Sequence, residues 1–199
     1  MNRVGITGSM GSGKTFVIKE FEKIGVPILL MDDLAKEIQI SNKELIKKLI
    51  ARFPEGYPNG VLDRIKMREI LFSDKTGINK KDIGNILRPY LYQEINNFYL
   101  KNKYADYVMV ESALLYEYHL EDMFDCIIFV YSDPELRREK AMLRDNITIE
   151  EYNNRMKDQI PDEIKLKKSD FAIVNDFTDN VLKEINKLHK ILQKWIKIN

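Results

Sequence analysis

The sequence predicts an α/β fold, a parallel sheet flanked by helices, and three observations predict it. The first 31 residues read strand, glycine loop, helix, strand. That is a βαβ unit, whose strands run parallel because a helical crossover joins them. Short apolar runs return at Tyr107–Val110, Ile127–Tyr131 and Phe171–Val174, each of a length and composition that suits a buried strand. The stretches between them place apolar residues at helical rather than alternating spacing.

Taken in order, Arg3-Val4-Gly5-Ile6-Thr7 is the first strand, and Gly8 to Gly13, with three glycines in six residues, is a loop. From Lys14 the period changes: Val17, Phe21 and Ile24 recur at helical spacing, and Gly25 stands where a helix ends. Val26 to Met31 is the second apolar run, with Pro27 near its start, where a strand tolerates it. Leu45, Ile46, Leu49, Ile50 and Phe53 form one helical stripe, Pro54 to Gly60 is a loop, and further helices are expected around Ile65–Phe72 and Pro89–Leu100. Residues 40–100 thus read as a helical excursion that leaves the sheet and returns to it. Glu135 to Lys168 is a charged segment after Pro134. The chain closes with a helix on which Val181, Leu182, Ile185, Leu188, Ile191, Leu192 and Trp195 share a packing face.

Composition narrows the function. The 199 residues carry 32 Lys+Arg against 31 Asp+Glu, a formal net charge of +1, so bulk charge argues for neither a nucleic-acid nor a membrane-surface partner. A single cysteine, Cys126, and two histidines, His119 and His189, leave no material for a disulfide framework, a cysteine zinc site or a histidine-rich metal centre. No apolar run reaches the roughly 20 residues needed to span a bilayer. The N-terminal residues resemble neither a signal peptide nor an acylation motif, and a cytoplasmic setting is expected. Neither Cys126, in a strand, nor His119, in a polar connection, is given a functional role.

Gly8-Ser9-Met10-Gly11-Ser12-Gly13-Lys14-Thr15 matches G-x-x-x-x-G-K-[ST] in full. The glycines let successive backbone N–H groups turn inward around a phosphate, and the following helix presents its N-terminus to the same anion. Lys14 adds a point charge for the β- and γ-phosphates, and Thr15 offers its hydroxyl to Mg²⁺. Because the octet lies between an expected strand and an expected helix, the fold sharpens to a P-loop NTPase core that binds ATP or GTP.

A GTPase also needs D-x-x-G and N-K-x-D after separate strands. Asp74-Lys75-Thr76-Gly77 and Asn79-Lys80-Lys81-Asp82 have those letters, yet they nearly abut and follow no apolar run; they read as one polar loop. A small-molecule kinase needs an acid near the acceptor hydroxyl, a carboxylate for the metal and cations for the phosphates. Asp32 and Asp33 follow the second strand, at the sheet edge where α/β proteins bind ligands, although Asp33 also suits a helix N-cap. Glu111 closes Val108-Met109-Val110 in the manner of a Walker B acid. Arg137, Lys140 and Arg144 fall on one helix face, with Arg138 beside them. Such a stripe suits either a lid over phosphates or, with Glu135 and Glu139 interleaved, a solvated helix.

These residues together resemble the dephospho-coenzyme A kinase family. Its T-G-x-x-G-S-G-K-S/T is Thr7 to Thr15, and its G-V-P with a strand into D-A-D-x-I-A-R-E runs from Gly25 to Glu37. Its G-x-x-D-R resembles Gly60 to Arg64, and its P-L-L-F-E resembles Ala113 to Glu117. Its downstream motifs fall on Lys140 and Arg144, on Arg155 and Gln159, and on Lys165, Asp170 and Asn175. The match is collinear from residue 3 to about 176. The chain departs from the family at Leu30, Ala113, Arg88, Lys140 and Phe177.

The resemblance implies transfer of the ATP γ-phosphate to the ribose 3′-hydroxyl of dephospho-CoA, with Mg²⁺. It implies that Asp32, Lys14 and Arg144 carry catalysis, and that Gly8, Gly11, Ser12, Gly13, Lys14, Thr15, Phe16, Lys140, Arg144 and Asn175 hold the nucleotide. It also implies that Asp32, Arg64, Arg88 and Leu114 meet the acceptor and that Thr15 and Glu111 hold the metal. The expected division is a core of residues 1–39, 101–135 and 169–199, an acceptor-binding region of 40–100 and a lid of 136–168. The sequence leaves two other readings open: a kinase for another nucleoside or nucleotide, and a non-catalytic nucleotide-sensing module. Acceptor-dependent turnover separates them.

Overall fold

The structure, a computed structural model, describes residues 2–157 and 159–195, the side chain of Phe72 aside. In chain order the elements are β1 (Asn2–Thr7), α1 (Lys14–Lys23), β2 (Ile28–Leu30), α2 (Met31–Ser41), α3 (Lys43–Arg52) and α4 (Arg64–Ser73). They continue with α5 (Ile78–Lys101), β3 (Tyr107–Glu111), β4 (Cys126–Tyr131), α6 (Pro134–Asp145), α7 (Ile149–Met156), α8 (Asp162–Lys168), β5 (Phe171–Val174) and α9 (Asn180–Trp195). The chain divides into two compact units: Met1–Leu30 with Tyr99–Asn199, and Met31–Phe98.

The first unit carries a five-stranded sheet in the order β2-β3-β1-β4-β5, and every neighbouring pair is parallel. The strands are apolar because both faces are covered. Val4, Ile6, Met109, Ile128, Val130 and Ile173 share a core with Val17, Ile18 and Phe21 of α1 and with Val181, Ile185, Leu188 and Leu192 of α9. On α9 the expected stripe is largely observed. Ile191, at its edge, remains exposed.

Register places β1 between β3 and β4, with Ile6 opposite Glu111 on one side and Ile128 on the other. The loop after β1 therefore opens at the middle of the carboxyl edge, where parallel sheets bind ligands. Helix α1 closes at Gly25 by crossed bonds, Gly25 N–H to the Glu22 carbonyl at 2.9 Å and Val26 N–H to that of Phe21 at 3.1 Å. The second strand is shorter than its apolar run: Met31 already opens α2, and Val26 and Pro27 stay outside. Pro27 still pairs through its carbonyl, which accepts from Met109 N–H at 2.9 Å.

The second unit is helical. Leu45 and Leu49 of α3 are fully buried, as is Phe53 behind them. Two N-caps are short polar side chains: Asn42 accepts from Leu45 N–H at 3.0 Å, and Asp63 accepts from Ile65 and Lys66 N–H at 3.0 and 3.1 Å. The expected polar loop at Asn79–Asp82 is instead the first turn of α5. Asp74 and Thr76 cause the difference, because Asp74 accepts from Asn79 N–H at 2.7 Å and Thr76 Oγ1 from Ile78 N–H at 3.3 Å, satisfying amides that start the helix.

Candidate active site

The phosphate loop joins β1 to α1, and its glycines are required by space as well as by φ. Gly11 and Gly13 sit at φ +84° and +78°; a Cβ on Gly11 would run into the carbonyl of Arg137, and one on Gly13 into the side-chain amide of Asn175. Neighbouring residues hold the loop on several sides. Ser12 N–H donates to the Ser9 carbonyl at 3.1 Å, and Asn175 Nδ2 donates to the Ser12 carbonyl at 2.9 Å. Asn175 also accepts from Phe177 N–H through Oδ1 at 3.0 Å. Helix α1 then starts at Lys14, so its leading amides have no carbonyl one turn behind them and are available to an anion.

Lys14 Nζ lies 3.1 Å from Glu111 Oε1, with the two side chains only 13% and 10% exposed. Glu111 is brought there by register: it is the last residue of β3, flanked by Ile6 and Leu30. A cation and an acid thus stand together at the strand edge, where the phosphate loop begins its helix. Thr15 and Phe16, on the first turn of α1, are exposed. Among the described residues no three His, Cys, Asp or Glu side chains gather as a metal site.

The expected cationic stripe of α6 divides. Asp133 caps the helix and Pro134 begins it. Arg137 points inward, 9% exposed, with Nη1 2.9 Å from Asp162 Oδ2. Lys140 Nζ lies 5.4 Å from the centre of the Phe177 ring. Arg144 makes a two-pronged contact with Asp145, at 2.7 and 2.9 Å, and Arg155 reaches the same carboxylate at 3.3 Å. The Arg144 hydrogen bonds hold the Asp145 carboxyl below its ordinary value, and they raise that of the guanidinium.

Leu114 lies in the turn after β3, half-buried, its N–H donating to Ser112 Oγ at 3.3 Å. The other residues expected to meet the acceptor belong to the helical unit. Asp32 and Asp33 are exposed in the first turn of α2. Asp33 does not precede that helix as an N-cap, because Met31 starts it; Asp33 pairs instead with Lys36 at 2.8 Å. Arg64 is the first residue of α4 and lines a groove of about 200 Å³ with Lys36, Gln39, Leu62, Met67, Arg68 and Leu71. Arg88 is half-buried on α5, one residue before Pro89.

Sequence reasoning gave no role to Gln159 and Asp162, which reach the phosphate loop, or to Glu117, which holds Ile160 and Lys165 behind them. Glu117 and Gln159 lie in stretches that resemble family motifs. Asp162 carries no sequence signal at all, since its partners are 153 and 25 residues away.

The dephospho-CoA kinase family model matches residues 2–180. A dephospho-CoA kinase of Bacteroides fragilis is 30% identical over 195 residues, covering 98% of this chain and 94% of the relative. Among solved structures, a Thermus thermophilus protein shares 28% identity at a TM-score of 0.85, with 96% of each chain covered. The dephospho-CoA kinase from Campylobacter jejuni shares 25% identity at a TM-score of 0.62, covering 97% of this chain and 98% of that one. With its glycine loop, its strand order and this match across nearly its whole length, the chain belongs to the dephospho-CoA kinase family.

Proposed function

We infer that the chain transfers the γ-phosphate of ATP to the ribose 3′-hydroxyl of dephospho-CoA, giving CoA and ADP. The observation that carries this reading is a complete phosphate loop with Lys14 paired to Glu111, in a chain whose family is that of dephospho-CoA kinases. The 3′-oxygen attacks the γ-phosphorus, the bond to the β–γ bridging oxygen breaks, and that oxygen leaves with ADP.

Little covalent chemistry falls to the protein; positioning and charge do the work. The loop amides and Lys14 gather the phosphates, and Lys140 and Arg144 add positive charge from the lid. Lysine in place of arginine at 140 keeps the charge without the planar fork. Asn175 acts on the nucleotide site through Ser12 and Phe177, which it holds. Asp32, at the family's acceptor-carboxylate position, orients the 3′-hydroxyl and accepts its proton, while Arg64, Arg88 and Leu114 contact the rest of the acceptor. In this reading residues 40–100 form the acceptor-binding region and 136–168 the lid over a core made of the remainder.

Thr15 and Glu111 offer hard oxygen donors that suit Mg²⁺, a metal commonly held by one or two protein ligands together with substrate phosphates. When bound, the ion neutralises charge developing on the phosphates. The near-neutral net charge of +1 goes with small-molecule partners rather than nucleic acid, and the single buried cysteine goes with a cytoplasmic setting. The test is phosphorus NMR of the product from dephospho-CoA and Mg²⁺–ATP. A new phosphomonoester on the ribose 3′-oxygen is expected; a phosphate placed elsewhere on the molecule, or no new ester, rejects the reading.

A further inference from the structure

The segment between α7 and α8 reaches the outer limb of the phosphate loop at two points. Gln159 Oε1 accepts from Met10 N–H at 3.2 Å, and Asp162 accepts a hydrogen bond from Ser9 Oγ. Ser9 is buried, and the Asp162 side chain is only 11% exposed. A carboxylate so placed needs a counter-charge. Arg137 supplies it, with Nη1 3.1 Å from Oδ1 and 2.9 Å from Oδ2. The same arginine abuts the loop through its backbone, since its carbonyl fills the space a side chain on Gly11 would need.

The reaching segment is itself fixed from behind. Glu117 Oε1 accepts from Ile160 N–H at 2.8 Å and lies 3.0 Å from Nζ of Lys165, whose side chain is fully buried. Moving the segment at Gln159 would cost the Ile160–Glu117 hydrogen bond, and moving α8 with Asp162 would cost the shielded Lys165–Glu117 pair. A phosphate loop works by presenting amides that need no rearrangement when the anion arrives. Two ties on its outer limb remove freedom that nucleotide binding would otherwise have to remove.

We propose that Gln159 and Asp162 are positioning residues of the nucleotide site, holding Met10 and Ser9 so that the amides further along the loop converge on the phosphates. Arg137 neutralises Asp162 so that its carboxylate does not oppose the incoming anion. The inference rests on the nucleotide-binding half of the function proposed above, not on the identity of the acceptor.

The experiment is calorimetric binding of the Mg²⁺ complex of β,γ-imido-ATP to the full chain, alongside steady-state kinetics with dephospho-CoA. Asp162→Ala and Gln159→Leu are each expected to weaken the nucleotide about tenfold. The dephospho-CoA KM at saturating ATP should stay within about twofold. Asp162→Asn keeps an oxygen for Ser9 while dropping the charge, so it should bind nucleotide within about threefold of the unmutated chain yet melt earlier, with Arg137 left uncompensated. Ser9→Ala/Asp162→Ala should bind no more weakly than Asp162→Ala alone.

Unchanged nucleotide affinity in the two truncations overturns the proposal. So does an Asp162→Asn as weak as Asp162→Ala, or a KM for the acceptor that rises in parallel with the nucleotide Kd. Should Asp162→Ala not fold, Ser9→Ala leaves the Arg137 pair intact and decides instead: weaker nucleotide binding supports the ties, and unaltered binding overturns them. An unmutated chain that binds the analogue but leaves dephospho-CoA unphosphorylated refutes the acceptor reading while the binding comparison still decides this one. One that does not bind the analogue overturns both.

Discussion

Beside open pairs such as Arg3–Asp125 and Lys23–Glu20, the sheet-bearing unit holds three ion pairs that meet across long stretches of sequence and away from water. Lys14–Glu111, Arg137–Asp162 and Lys165–Glu117 all have side chains 13% exposed or less. In the helical unit, Asp33–Lys36 and Glu44–Lys48 span three and four residues, and Arg52–Asp82 has both side chains a third or more exposed. Exposed pairs contribute about 0–1 kcal/mol each, whereas breaking one partner of a shielded pair costs about 3–5 kcal/mol. The difference suits the roles proposed for the two units. Phosphate transfer needs groups already in place, and the acceptor-binding role proposed for the helical unit profits from elements that open and adjust at low cost.

The largest effect should come from the preorganised side. Lys14→Ala is expected to lower kcat/KM by about a thousandfold or more, as loss of a group that stabilises the transferring phosphoryl does; near-normal turnover would remove the loop from the chemistry. On the helical side, Asp32→Asn should cut kcat about a hundredfold while leaving ATP affinity unchanged. Asp33→Asn, which loses only an exposed pair with Lys36, should remain within about twofold. A reversal between these two aspartates would shift the acceptor carboxylate by one residue. Glu111→Gln should lower turnover about tenfold and raise the Mg²⁺ concentration needed for half-maximal rate. An unaltered Mg²⁺ titration would take Glu111 out of the metal's reach.

Two smaller effects sharpen the contrast. Amides of α4 should exchange with solvent well before those of β1 and β3, and equal protection would erase the difference between the units. Cys126, the first residue of β4, has its thiol pushed up to about 12 by burial. Thiol reagents at pH 8 should therefore label it only after denaturation. The unfolded thiol ionises near 8.5, so this group's contribution to stability is complete below that pH and declines as pH rises toward about 12. Rapid labelling of the native chain at pH 8 would contradict that burial.

What was legible in the sequence follows range and polarity. The phosphate loop was readable because its specified residues, Gly8, Gly13, Lys14 and Thr15, fall at fixed spacing in one short stretch, and the strands because burial on both faces leaves near-continuous apolar runs such as Cys126–Tyr131. The start of α5 was not readable. Its first turn is polar, and what makes it helical is capping by Asp74 and Thr76 just upstream. The apolar run at Val26–Met31 hid a boundary, since β2 and α2 meet inside it and hydrophobicity does not distinguish a strand's end from a helix's buried first residue. Helical spacing grouped Arg137 with Lys140 and Arg144. Only the fold shows that Arg137 faces Asp162 while Arg144 turns to Asp145. Pairings of polar residues across 25 or 153 positions leave no local pattern to read.

The most direct measurement is incubation with Mg²⁺–ATP and a panel of acceptors, dephospho-CoA, nucleosides and nucleoside monophosphates, with products identified by mass spectrometry. The account predicts one added phosphate on dephospho-CoA and none on the others. Phosphorylation of a different acceptor, or nucleotide binding with no product from any of them, would contradict it.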